Sequence, residues 1–142
     1  MKDIFYDNSQ TVTIFNHVAD DGVLSDDNWY VTLLKNVRIV ETQGKNISTS
    51  GLENADAVKV HIMLDNLEKP YLGPVEWSEL LDKTEAFTLT GGRDFLVIGD
   101  VSDIEAEVPD LFQYCKENYD GVYRITHVDK FMIIPHLEVG GR

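Results

Sequence analysis

Six apolar segments, most of them alternating between apolar and polar residues, divide this chain. They span residues 11–15, 30–40, 57–64, 95–99, 122–128 and 131–139. Alternation with a period of two puts one side of a β-strand against a core and the other toward solvent. The third segment is the most regular, with apolar residues at every second position: Val58, Val60, Ile62 and Leu64. The pattern predicts that most of the ordered chain forms a sheet.

Two of the segments carry signs of irregular pairing. In the second, the apolar positions of one parity are Val31, Leu33, Val37 and Ile39. Lys35 interrupts that parity, which indicates a half-buried strand, or two strands separated by a β-bulge near Lys35 and Asn36. In the last segment, Pro135 cannot donate a ladder hydrogen bond, which favours an edge strand or another bulge.

The residues between the segments predict turns and short helices. After Pro74, an apolar helical face is formed by Trp77, Leu80 and Leu81. A second short helix is predicted to run from about residue 110 to Tyr119. Glycines at 91–92 predict a hairpin turn between residues 87–89 and 95–99, and residues 129–130 predict the turn of the final hairpin.

The predicted fold is therefore mainly β: a small antiparallel β-barrel or sandwich with one or two short helices. A length of 142 residues corresponds to one domain, which we expect to cover residues 1–142. Hydrophobic residues make up 43% of the chain, enough to fill a core of that size. No stretch is long and apolar enough to span a membrane, and the N-terminus lacks the apolar core of a secretion signal.

The charge of the chain is strongly negative. Twenty-five acidic residues against 12 basic ones give a formal net charge of −13. Affinity for nucleic acid depends on cations that displace counterions from phosphates, so a DNA- or RNA-binding surface is not expected. Such an acidic surface would suit a wall past which DNA slides without adhering, and it would also keep the protein in solution.

Residues that could bind metal or act as nucleophiles are present, but their spacing along the chain does not match a known site. The four histidines are widely separated, and we expect them to lie on strand faces, partly exposed, without binding metal: His17, His61, His127 and His136. The acidic residues at positions 20, 21, 26 and 27 do not follow the EF-hand order and indicate a turn. Cys115 is the single cysteine of the chain, which excludes an intramolecular disulfide. Its acidic surroundings predict a buried structural thiol. We therefore predict no catalytic residues, no metal and no cofactor.

A polar stretch from residue 41 to residue 56 separates the second and third segments. It contains two glycines and almost no apolar residue, which predicts a long exposed loop or an extended hairpin tip. Loops of this length are uncommon inside compact domains and often serve a function.

The order of these features resembles a known family. The resemblance is carried by Thr-Val-Thr-Ile-Phe at 11–15, by Trp29 and Thr32 ahead of residues 34–37, and by Ala-Val-Lys-Val-His-Ile at 57–62. Residues 87–89, 94–100, 123–129 and 136–139 complete the series. The chain resembles the small head–tail joining proteins of tailed bacteriophages, also called head-closure or stopper proteins, in the divergent form found in phages and prophages of Gram-positive bacteria.

The resemblance implies a non-enzymatic virion protein of the neck, made in the bacterial cytoplasm. Its partners would be further copies of itself in a ring, the portal or adaptor above it, and tail proteins below it. Packaged DNA would be met only by passage through an acidic channel. The loop between the early strands would face that channel and contact neighbouring subunits through Gln43, Gly44, Lys45, Asn46, Ser48, Thr49, Ser50, Gly51 and Asn54.

Two alternative functions stay open from the sequence. A tail-terminator or other tail-completion protein would also be soluble and lack a catalytic site, but it would have different ring partners. A β-sandwich module that binds carbohydrate or peptide belongs to another class, and it requires a shallow face of exposed aromatic residues such as Trp29, Tyr71 and Trp77.

Overall fold

The computed structural model of the protein describes residues 10–18, 28–41, 57–65, 67–104 and 110–142. Six β-strands lie within these residues: β1 (Gln10–Val18), β2 (Asn28–Glu41), β3 (Val58–Met63), β4 (Phe95–Ile98), β5 (Val122–Phe131) and β6 (His136–Gly141). Two α-helices, α1 (Pro74–Ser78) and α2 (Leu111–Asn118), and a 3₁₀ turn at Lys83–Glu85 accompany them. Each of the six predicted apolar segments contains one of the strands or part of it.

The six strands close into an antiparallel barrel in the order β1-β2-β3-β6-β5-β4, and β4 pairs back onto β1. The predicted mainly β fold with two short helices is thereby confirmed, in its barrel form. Every strand has a paired neighbour on both sides, but β2 pairs with β1 through residues 28–37 and with β3 only through residues 38–41. Gly141 is buried at the end of β6, where a Cβ would lie 2.8 Å from the Arg124 carbonyl oxygen of β5.

A bulge in β2 confirms the irregularity predicted near Lys35 and Asn36. Thr11 pairs with Lys35 whereas Gln10 pairs with Val37, and Asn36 adopts a left-handed conformation with φ 61°. The bulge exchanges the two faces of β2. Of the two alternatives predicted for this segment, the uninterrupted half-buried strand was wrong, because Leu34 before the bulge and Val37 after it enter the same core.

The barrel interior is filled by side chains from all the strands and from the long connection between β3 and β4. Its buried members are Val12, Ile14, Leu34, Val37, Val58, Val60, Ile62, Phe87, Leu89, Leu96, Ile125, Leu137 and Val139. Phe87 and Leu89 enter this cluster from the β3–β4 connection, and the Phe87 amide donates to the Pro70 carbonyl at 3.0 Å. The predicted hairpin between residues 87–89 and 95–99 was wrong, because β4 pairs with β1 and β5 instead.

A buried carboxylate fixes the β3–β4 connection against β1. The Asp94 side chain accepts hydrogen bonds from the His17 amide at 2.8 Å, the Asn16 side-chain amide at 2.9 Å and the Thr90 amide at 3.0 Å. The Asn16 side chain also donates to the Thr88 carbonyl at 2.6 Å. Since both side chains are buried, these bonds tie the connection to the end of β1 without access to water.

Helix α2 covers the outer face of β1 and β4, so these strands are buried on both faces. Phe15 and Phe95 stack with ring centroids 4.5 Å apart, and both lie in a second core cluster with Leu111 and Cys115 of α2. Asp110 accepts a hydrogen bond from the Gln113 amide and caps the helix, whose bounds agree with the predicted ones. Burial on both faces explains why β4 is a continuous apolar run instead of an alternating one.

Helix α1 ends at Ser78, four residues before the predicted end at Asp82, so only Trp77 of the predicted apolar face lies in the helix. Trp77 is buried and its indole N–H donates to the Ala86 carbonyl at 3.1 Å. Leu81 lies beyond the helix and is fully exposed. Among the described residues, no helix has the length and apolar character that crossing a membrane requires.

Candidate functional site

The loop assigned to the channel lies outside the described residues. This concerns Gln43, Gly44, Lys45, Asn46, Ser48, Thr49, Ser50, Gly51 and Asn54, as well as the acidic residues at 20, 21, 26 and 27. The structure does show where the loop begins and ends: Glu41 of β2 pairs with Val58 of β3. The connection therefore leaves and rejoins the barrel at two adjacent strand ends.

The turn between β5 and β6 carries a run of exposed apolar side chains. We call Phe131–Ile134 the hairpin tip; its members are 42%, 66%, 99% and 62% exposed in chain order. Residues 132–135 form the turn, so the predicted turn at 129–130 was wrong and Pro135 lies in the turn, not within an edge strand. Adjacent exposed apolar residues on a polar surface mark contact sites for partners.

The hairpin tip could have been found in the sequence from its broken alternation. Residues 131–134 are four consecutive apolar residues, whereas a half-buried strand alternates, and a proline follows them. These four residues were predicted to be part of the last strand, because apolar character alone does not distinguish a buried strand from an exposed turn.

Behind the hairpin tip, strand pairing brings together two of the four histidines. His61 of β3 pairs with Glu138 of β6, and Met63 pairs with His136, so His61, His136 and Glu138 share the outer face of the barrel. One ligand atom from each of these three half-buried residues lies within 4.8 Å of the other two. The His136 Nε2 atom is 3.7 Å from a Glu138 carboxylate oxygen.

The neighbouring groups orient the His136 ring and favour the neutral form of His61. His136 Nδ1 lies 2.7 Å from the Ile134 carbonyl oxygen, and the Phe131 ring stacks on the imidazole with centroids 4.8 Å apart. Desolvation lowers the pKa of His61, with further lowering from Arg38, His136 and Lys59, although Glu138 acts in the opposite direction. A lowered pKa favours the neutral imidazole, which is the form that binds metal ions.

The other two histidines have different surroundings. His127 of β5 is exposed, and its Nε2 atom is 3.7 Å from an Asp129 carboxylate oxygen. His17 of β1 packs edge-on against Trp29 with ring centroids 5.0 Å apart. All four histidines lie on strands, as expected, but spacing along the chain did not indicate that His61 and His136 would meet.

Cys115 is a buried thiol of the packed face of α2. Desolvation raises its pKa to about 11, so the thiolate that would act as a nucleophile is scarce at neutral pH. We predict that the native protein reacts with a thiol-specific chromogenic disulfide far more slowly than the urea-unfolded protein, which should react fully within the mixing time. Fast reaction of the native thiol would contradict the packing of α2 against β1 and β4.

The three aromatic residues expected on a sugar-binding face all pack against other rings. Trp29 lies edge-on to Phe95, Tyr71 to Phe87 and Trp77 to Tyr30, with centroids 5.1, 5.6 and 5.6 Å apart respectively. Trp77 is nearly fully buried. Stacking of a sugar on Trp77 would require its side chain to leave the core.

The comparisons with known proteins place the chain by family. A model described as "Family of unknown function (DUF6751)" matches residues 7–142, which is almost the whole chain. The chain belongs to this family. Comparison with curated proteins found no match, and comparison with solved structures found none either.

Proposed function

We propose that this DUF6751 protein is a non-enzymatic, ring-forming component of the neck of a tailed bacteriophage. It would join the portal or adaptor to the tail and help to close the DNA channel. The proposal rests on the sequence resemblance to head–tail joining proteins. The structural observation that carries it furthest is the hairpin tip, a run of exposed apolar side chains on an acidic chain.

The closed barrel limits how such subunits could associate. Each strand has two partners, but in the described ladders residues 28–37 of β2 pair with β1 alone and residues 127–131 of β5 pair with β6 alone. Strand addition by a neighbour is therefore restricted to these stretches, and side-chain surfaces and loops are the other means of association. The hairpin tip offers the apolar side chains that a stable contact needs, and the predicted channel loop connects the paired ends of β2 and β3 at Glu41 and Val58.

The filled interior of the barrel limits where DNA could pass. Phe87, Leu89 and the inward strand residues occupy the barrel, so a channel would have to lie between subunits of a ring. A ring multiplies the net charge of −13 carried by each chain. An acidic lumen would repel the DNA backbone and lower its friction during passage.

The experiment is genetic and uses the phage genome that encodes the chain. Deleting the gene should give heads that lose DNA and carry no tails, and the wild-type chain supplied in trans should restore tailed particles. Defective tails beside DNA-filled heads would favour the tail-terminator alternative. Normal infectious particles after deletion would overturn the neck assignment.

A substitution at the centre of the hairpin tip tests whether the tip forms the contact through which the subunits associate. We expect Ile133→Asp to reduce the rescue by at least about tenfold, since a carboxylate in an apolar interface costs more than about 1.4 kcal/mol. Leu81→Asp is the matched control, because Leu81 is equally exposed but lies outside the tip. Both variants should keep the far-ultraviolet circular dichroism of the wild type, and an equal loss of rescue would show that added charge alone is harmful.

A further inference from the structure

We propose that His61, His136 and Glu138 form a binding site for Zn²⁺ on the outer face of the barrel. The site is independent of the proposed neck function. It follows from the pairing of β3 with β6, which sets two imidazoles and one carboxylate side by side on neighbouring strands.

The distances lie close to those of a zinc site. Tetrahedral zinc has bonds of about 2.0–2.1 Å to histidine nitrogen and to carboxylate oxygen, which separates ligand atoms by roughly 3.4 Å. The His136 Nε2 atom already lies 3.7 Å from a Glu138 oxygen, and the whole set lies within 4.8 Å. Small rotations of the Glu138 and His61 side chains would bring the three atoms to bonding distance.

The protein also supplies the support that a metal-binding imidazole needs. The Ile134 carbonyl can only accept a hydrogen bond, so His136 Nδ1 carries a proton and Nε2 is left to face Glu138. The Phe131 ring covers one face of the same imidazole. This orientation through a backbone carbonyl is the arrangement commonly found behind metal-bound histidines.

The donor set selects the class of metal. Two imidazole nitrogens and one carboxylate oxygen match zinc sites that keep a fourth position for water or another ligand. Calcium and magnesium prefer oxygen ligands alone. The bound ion would join β3 to β6 directly behind the hairpin tip, because only Pro135 separates His136 from the tip.

Calorimetric titration of the metal-free chain with zinc chloride tests the site. We expect one Zn²⁺ per chain, and a rise in the melting temperature of roughly 5–10 °C at a zinc concentration about a hundredfold above the dissociation constant. His61→Asn, His136→Asn and Glu138→Gln should each weaken binding by at least about tenfold. Cobalt should give the intense visible absorption of a tetrahedral site in the wild type and lose it in these variants.

His127→Asn is the matched control. His127 is a strand histidine with a carboxylate oxygen at the same 3.7 Å, but it lies outside the three-residue group. It should bind zinc as the wild type does. The proposal is wrong if zinc fails to bind at one ion per chain, or if His127→Asn weakens binding as much as His61→Asn. It is equally wrong if the three ligand variants, shown to be folded by circular dichroism, keep wild-type affinity. None of these results depends on the role of the chain in a particle.

Discussion

Replacing Phe87 with alanine should lower the free energy of unfolding by about 3–5 kcal/mol. Phe87 is fully buried, and its ring packs edge-on against Tyr71 inside the barrel. The cavity left by the ring cannot close easily. The Phe87 amide and carbonyl are bonded to Pro70 and Leu72 at 3.0 and 2.9 Å, which holds the backbone in place.

Urea denaturation followed by tryptophan fluorescence measures this loss. Trp77 reports on the region directly, because its indole N–H is bonded to Ala86, the residue before Phe87. Phe87→Leu, which retains most of the apolar volume, should cost roughly 1–1.5 kcal/mol. Leu81→Ala, at an exposed position of the same connection, should change stability by less than about 0.5 kcal/mol. A loss below about 1 kcal/mol for Phe87→Ala would show that the ring does not fill the barrel.

The same segment shows why part of the fold could not be predicted from the sequence. Residues 87–89 are apolar and precede a glycine pair, which indicates a hairpin when only adjacent segments are compared. In the structure they fill the barrel while β4 pairs with β1, about eighty residues earlier in the chain. Local patterns identify apolar segments well, but which segments meet is decided by long-range packing.

The strands themselves were predictable because their signal is local. Alternation in β3 matches its burial pattern, in which Val58, Val60 and Ile62 are buried and the residues between them are not. The bulge in β2 was also visible, because Lys35 interrupts an apolar parity. Its effect on the rest of β2 was missed, since a one-residue insertion reverses the facing of every following side chain.

The group of His61, His136 and Glu138 was not predictable for a different reason. His61 and His136 are 75 positions apart, and only the register of β3 against β6 places them on one face. A search for short ligand spacings therefore cannot find them. The channel loop was inferred from resemblance, and it stays a prediction because its residues lie outside the described part of the chain.

Replacing Asp94 with asparagine should cost about 2–4 kcal/mol at pH 7, although the two side chains are nearly the same size. The Asp94 carboxylate is buried and receives three hydrogen bonds, two on Oδ2 and one on Oδ1. An asparagine has one acceptor oxygen, so its NH₂ group must face at least one buried N–H donor. The connection between β3 and β4 would then lose some of the hydrogen bonds that hold it to β1. Asp82→Asn is the control, because the Asp82 carboxylate also accepts hydrogen bonds but is exposed. This substitution should lower the free energy of unfolding much less.

The cost of Asp94→Asn should also depend on pH, in a direction set by burial. Desolvation raises the native pKa of Asp94 above its ordinary 3.8, outweighing the opposing hydrogen bonds from His17, Asn16 and Thr90. A raised pKa in an acid means that the native state holds the proton more tightly than the unfolded state. This stabilisation is fully present below pH 3.8 and is lost as the pH rises through the native pKa. Asparagine does not titrate, so the stability difference between wild type and variant should shrink as the pH is raised from about 4 to 8. Urea denaturation of both proteins across that pH range measures the difference. The titration of all other carboxylates contributes equally to both proteins and cancels. A difference that grows with pH would show that the three hydrogen bonds outweigh desolvation and that Asp94 is held as the anion.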